Sequence, residues 1–195
     1  MFNMDLHKYK VLNELAEKNG IVVFGGSEDM DVPLGELKQA FDIESKMYNR
    51  SISGLSINDA VSAYDACVAP LMPETVLLHI GSADLDFFAE DAAAFDQKYR
   101  ELIAHIRNLD KNCRIAIVSL KNEDNNSLAD DMNTHLKYIA DSERCEYGNI
   151  SAKRVWNPKV TMEAISFVHS MSFMRPLTSR RPVYDLVRMI FCYGA

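Results

Sequence analysis

Ile21-Val22-Val23-Phe24-Gly25-Gly26-Ser27 is the stretch that decides the fold. Four consecutive apolar residues suit a strand covered on both faces, as in the middle of a parallel sheet. The run stops abruptly at two glycines and a serine, which marks a strand end entering a turn. Upstream, residues 5–18 place Leu6, Tyr9, Leu12, Leu15 and Ala16 along one side of a helix, and Gly20 stands where a helix commonly ends. Downstream, residues 34–41 read as a helix and Lys46 to Arg50 as a second, weaker strand. Ser51-Ile52-Ser53-Gly54 is turn-like. Ser56 then opens a helix, with Asp59 approximating a capping box and Ile57, Ala60, Val61, Tyr64 and Val68 as its apolar face. Pro70 and Pro73 close it.

The same alternation continues to the end of the chain. Val76 to Ile80 form a third apolar strand stopping at Gly81, and Ile115 to Val118 a fourth. Between them, Phe95, Tyr99, Leu102, Ile103, Ile106 and Leu109 mark a long amphipathic helix. Leu128, Met132, Leu136 and Ile139 mark the next helix, residues 145–150 a short fifth strand, and helices follow near 160–172 and 183–192. Strands alternating with helices imply right-handed crossovers and a parallel sheet with helices on both faces. Ligands of such sheets bind at the carboxyl ends of the strands. Three strand ends therefore matter: Gly25 to Ser27, Ser53-Gly54, and Gly81 to Asp84.

At 195 residues the length fits one domain spanning 1–195, with 48% hydrophobic and 25% charged residues, an ordinary globular balance. The net charge of -7 argues against a nucleic-acid partner, because phosphate binding needs clustered Lys and Arg. The densest basic group, Arg175 with Arg180 and Arg181, reads as a solvated loop. The N-terminus lacks the apolar core of a signal peptide, and no stretch approaches the length of a membrane span. The expected location is cytoplasmic. Cys67, Cys113, Cys145 and Cys192 are far apart, lack zinc-ligand pairing, and read as small core residues in a reducing compartment.

The strand ends carry recognisable residues. Phe24-Gly25-Gly26-Ser27 resembles the first block of the SGNH (GDSL) hydrolases, GDS, whose serine is the nucleophile. Asn49-Arg50-Ser51-Ile52-Ser53-Gly54 looks like the second block, whose glycine NH helps form the oxyanion hole. Gly81-Ser82-Ala83-Asp84 is similar to the third block, GxND, and Trp156-Asn157-Pro158 to the last, DxxHP. The blocks occur in family order, with Gly54 27 residues after Ser27 and Ala83 29 residues after Gly54, spacings typical of small members. The resemblance implies a three-layer α/β/α sandwich of flavodoxin-like topology, with a five-stranded parallel sheet in the order 2-1-3-4-5. It also implies ester or acetyl-ester hydrolysis through Ser27, with Gly54 as an oxyanion donor and no organic cofactor or metal. A small ester or carbohydrate-type ligand is the expected partner; oligomeric state is left open.

The departures from the pattern are as informative. Ala83 stands where the family has its oxyanion-hole Asn, Asn157 where it has the catalytic His, Arg154 where it has the Asp that orients that His, and Gly26 where it has the Asp of GDS. Removing one oxyanion donor costs roughly 10²–10³ in rate, and removing a triad His on the order of 10⁶. An Asn side chain takes no proton near neutral pH. Ordinary triad hydrolysis is therefore expected to be very slow, and a non-catalytic binding or assembly module that keeps the cleft is the alternative.

No other imidazole is an obvious replacement. His169, eleven residues past Pro158, would lie about 16 Å along a helix. His79, inside an apolar strand, reads as a hydrogen-bonded core residue, and His7, His105 and His135 fall on helices. Glu28, Asp29, Asp84 and Asp86 would bind a metal or cationic ligand if they converged on one cleft; they read instead as helix-start acids and solvated charges. Met162, Met171, Phe173 and Met174 read as core. A dinucleotide fold would need a third glycine that Gly25-Gly26-Ser27-Glu28-Asp29-Met30 lacks, while a flavodoxin-like signalling domain would share the topology.

Overall fold

The computed structural model of the protein describes residues 2–122, 126–150 and 183–191. Five strands, β1 (Ile21–Gly25), β2 (Met47–Asn49), β3 (Thr75–His79), β4 (Arg114–Val118) and β5 (Glu146–Gly148), form one sheet in the order β2-β1-β3-β4-β5. Every pairing is parallel. The two central strands are entirely buried, which is why their sequences are apolar without alternation. The register sets Gly25 directly beside His79 across the β1–β3 ladder.

The helices are α1 (Phe2–Leu15), α2 (Leu34–Ala40), α3 (Ile57–Cys67), α4 (Leu85–Glu90), α5 (Ala92–Leu109), α6 (Ser127–Ser142) and α7 (Val183–Phe191). On one face of the sheet, Val22, Phe24, Val76, Leu78 and Ile117 pack with Tyr64 of α3, Phe95 and Tyr99 of α5, and Leu136 of α6. On the other, Ile21, Val23, Leu77 and Val118 pack with Leu34 and Leu37 of α2 and Leu186 and Ile190 of α7. The expected helices and strands between 5 and 150 therefore form, in the expected three layers and strand order. The helix expected near 160–172 lies outside the described residues.

Three local expectations change. The apolar side inferred for α1 divides: among the described residues Tyr9 is buried and Leu6 and Ala16 pack against the core, while Leu12 and Leu15 are 40% and 81% exposed. The short helix α4 had no counterpart in the sequence reading. At the start of α3, Ser56 accepts a hydrogen bond from the Asn58 amide, and the carboxylate that completes the cap comes from Asp84 rather than Asp59. No helix among the described residues is long and apolar enough to cross a membrane.

Candidate active site

Ser27 follows β1 at the start of a 3-10 turn, Ser27–Asp29, and is exposed at the carboxyl edge of the sheet. Its backbone bonds are long: the Asp29 amide donates to Gly26 O and the Met30 amide to Ser27 O, both at 3.3 Å. The serine side chain reaches the second block. Gly54 N–H donates to Ser27 Oγ at 2.9 Å, and Ser53 Oγ lies 3.5 Å from it. Gly54 has φ +65, a left-handed conformation that glycine adopts without strain, and this turns its NH toward the serine.

The second block is held from several sides. Arg50 and Ile52 donate backbone bonds to Val23 O and Gly25 O, extending the β1–β2 ladder past the end of β2. Tyr9 of α1 donates its hydroxyl to Ser51 O at 2.5 Å, and Ser53 N–H donates to Asp5 Oδ2 at 3.3 Å. Arg50 is buried, with Nε and Nη2 donating to Asn13 Oδ1 and its guanidinium 5.1 Å and 5.4 Å from the ring centres of Tyr9 and Tyr48. Asn49 bridges the two blocks: its Nδ2 donates to Asp29 O at 2.6 Å, and its Oδ1 accepts from Ser51 N–H at 2.9 Å.

The third block splits into two roles. Ala83 is exposed and offers no hydrogen-bond donor beyond its backbone. Asp84 is buried, accepting from Ser56 Oγ at 2.7 Å and from Ile57 N–H at 3.1 and 3.0 Å, so it seals the N-terminus of α3. Burial pushes its carboxyl above the ordinary value, against the opposing pull of the Ser56 hydroxyl and the Ile57 amide. Arg154 and Asn157 lie outside the described residues, as do His169, Arg175, Arg180, Arg181, Met162, Met171, Phe173 and Met174.

The acidic residues do not converge. Asp29 turns back beneath the strand ends, its carboxylate oxygens 2.9 and 2.8 Å from His79 Nδ1. Both side chains are only 2% exposed. Asp29 and Asp84 do stand at the starts of short helical segments, as expected, but both are buried rather than solvated, because each meets a partner that lies far away in sequence. No group of three or more His, Cys, Asp or Glu among the described residues is placed to hold a metal. Gly25 makes room for the Asp29 carboxylate: a Cβ there would sit 2.0 Å from Asp29 Oδ2 and 2.8 Å from the His79 carbonyl oxygen.

Other imidazoles are engaged elsewhere. His105 pairs with Asp65 at 2.6 Å and His135 with Asp96 at 3.0 Å, bridging α3 to α5 and α5 to α6. His79, as expected, is a hydrogen-bonded core residue. Its Nε2 has no hydrogen-bond partner among the described residues, and its ring meets the edge of Phe191 at 5.0 Å. An orphaned buried polar atom costs about 1–3 kcal/mol. Among the described residues the hydrogen-bonding neighbours of Ser27 Oγ are Ser53 and Gly54, and neither is a base.

Comparison with known proteins gives a consistent picture of the fold. No family model and no curated protein matches the sequence. Solved structures do. The structure of a Streptococcus pneumonia protein described as a platelet activating factor superposes with a TM-score of 0.67 at 16% identity, over 87% of this chain and 91% of that one. An acetylxylan esterase from Geobacillus stearothermophilus gives 0.56 at 16% identity, over 84% and 99%. A Bacteroides fragilis protein described as an acylhydrolase gives 0.60 at 14% identity, over 86% and 97%. With its parallel sheet in the order 2-1-3-4-5 and helices on both faces, the chain has the fold of the SGNH/GDSL-type hydrolases.

Proposed function

We propose that the protein is a slow SGNH-type ester hydrolase acting on small acyl or acetyl esters, with Ser27 as nucleophile. The observation that carries this reading is the 2.9 Å hydrogen bond from Gly54 N–H to Ser27 Oγ, which sets an oxyanion donor against an exposed serine at a strand end. In the reaction Ser27 Oγ bonds to the ester carbonyl carbon, its proton leaves to solvent, and the carbonyl oxygen takes the Gly54 amide as the C=O electrons shift onto it. Collapse expels the leaving oxygen, which takes a proton back from solvent to become the alcohol, and water then adds to the acyl-serine, releasing the acid and restoring the Ser27 hydroxyl. Ala83 withholds a second donor and Asn157 a base, so both steps are slow. The 195 residues act as one domain on a small ester or acylated carbohydrate, without organic cofactor, nucleic acid or membrane, in the cytoplasm.

The reading is tested with a fluorophosphonate probe and intact-mass analysis. Slow labelling confined to Ser27, absent in Ser27→Ala, is the expected result. No labelling above that control overturns it. A second reading, a binding module that keeps the cleft without chemistry, is favoured by one observation: no imidazole among the described residues hydrogen-bonds to Ser27 Oγ. That reading expects no labelling, with retained binding of an acetylated sugar.

A further inference from the structure

We propose that Asp29 and His79 are positioning residues, a buried brace that fixes where Ser27 presents its hydroxyl; this rests on the reading of Ser27 as nucleophile. The turn carrying Ser27 has little backbone support of its own, since its closing bonds are 3.3 Å long and it spans only Ser27–Asp29. What anchors it is the side chain at its far end. The Asp29 carboxylate enters the space left by the absent side chain of Gly25 and meets Nδ1 of His79 at 2.8 Å, on the strand beside Gly25. The Asn49 amide holds the backbone of the same residue at 2.6 Å. The turn is thus pinned at Asp29 from β2 and β3, two residues beyond Ser27.

Stability alone gives no reason for this pair. A buried ionisable pair is commonly replaceable by apolar residues of similar volume without loss, and here the ring also leaves Nε2 without a hydrogen-bond partner among the described residues. Leu34 and Leu37 of α2 and Phe191 of α7 already supply an apolar surround on that face of the sheet. What an apolar pair could not supply is a directional tie between the nucleophile turn and β3.

The brace is tested by comparing His79→Leu, His79→Asn and His79→Gln. Asparagine returns an N–H near the position of Nδ1, whereas glutamine carries its amide nearer the position of Nε2. Two readouts are followed: the fluorophosphonate labelling rate of Ser27, and the Gly54 amide resonance in a proton–nitrogen NMR spectrum, calibrated with Ser27→Ala. The expected result is at least a tenfold loss of labelling rate in His79→Leu, with the Gly54 resonance moving toward its Ser27→Ala position, and recovery of both in His79→Asn but not His79→Gln. If His79→Leu does not fold, the asparagine–glutamine comparison decides by itself. Equal behaviour of those two variants, or a folded His79→Leu with wild-type resonance and rate, overturns the brace. Absent labelling of the wild type would sink the proposed function alone, because the Gly54 resonance still reports the brace.

Discussion

Gly25 and Asp29 show how much a single side chain, or its absence, decides near the candidate site. Adding a methyl at Gly25 places it 2.0 Å from Asp29 Oδ2 and 2.8 Å from a backbone oxygen, so the carboxylate must leave its pocket. Gly25→Ala is expected to cost about 3 kcal/mol or more, through overpacking and loss of the buried pair, read as a lowered urea midpoint. Asp84 makes a different prediction. Its pKa is raised by burial, so the protonated form is the one the fold favours. The stability it adds is present at acid pH and is lost as pH rises above the ordinary carboxylate range, about 4. The melting temperature of wild type minus that of Asp84→Asn should therefore fall as pH climbs from about 4 toward neutrality; a difference that stays constant with pH would refute this. Neither role was legible in sequence. An acid just after a strand end reads as a solvated, dipole-favoured charge, and only contacts 50 residues away for Asp29 and 27 for Asp84 bury it.

Elements were far more legible than the contacts between them. Strands β1, β3 and β4 announced themselves as short apolar runs, and α5 and α6 by helical spacing. The six residues of α4 are too few to display a period. For α1 the apolar spacing held in part: Leu6, Tyr9 and Ala16 meet the core while Leu12 and Leu15 face outward, and Tyr9, Asn13 and Asp5 tie the helix down through hydrogen bonds that no spacing announces. The start of α3 illustrates the same gap. Ser56 was identifiable as a cap, but its second bond, to Asp84, belongs to another element. Ser56→Ala removes both and should lower stability by about 1–2 kcal/mol, measurable by chemical denaturation.

For the molecule as a whole, the order 2-1-3-4-5 was legible because strand–helix alternation limits the topology and four short motifs matched a known pattern. At the candidate site, Gly54 N–H meets Ser27 Oγ, and Ala83 is exposed beside a buried Asp84. Restoring the missing groups together, with Ala83→Asn, Arg154→Asp and Asn157→His, should raise ester turnover by several orders of magnitude over wild type, assayed with an activated acetyl ester. A second prediction concerns the thiols. Burial pushes Cys67 and Cys113 up to about 12 and Cys145 to about 11. At pH 8 their thiolate fractions are then about one part in ten thousand and one in a thousand. In a Cys192→Ser background, a thiol reagent should leave these three unmodified until denaturant is added.

The hydrogen bond from Gly54 to Ser27 has one more consequence. At rest, the donor that would greet a ligand's oxygen is already engaged by the protein's own hydroxyl. An incoming carboxylate or carbonyl must displace that hydroxyl, so the nucleophile acts as a tethered competitor for its own cleft. Removing it should tighten occupancy by a product-like anion such as acetate by roughly three- to tenfold, the equivalent of one neutral hydrogen bond. Ser27→Ala would then be the better receptor and the poorer reagent, and a titration of acetate against both forms separates recognition from reactivity.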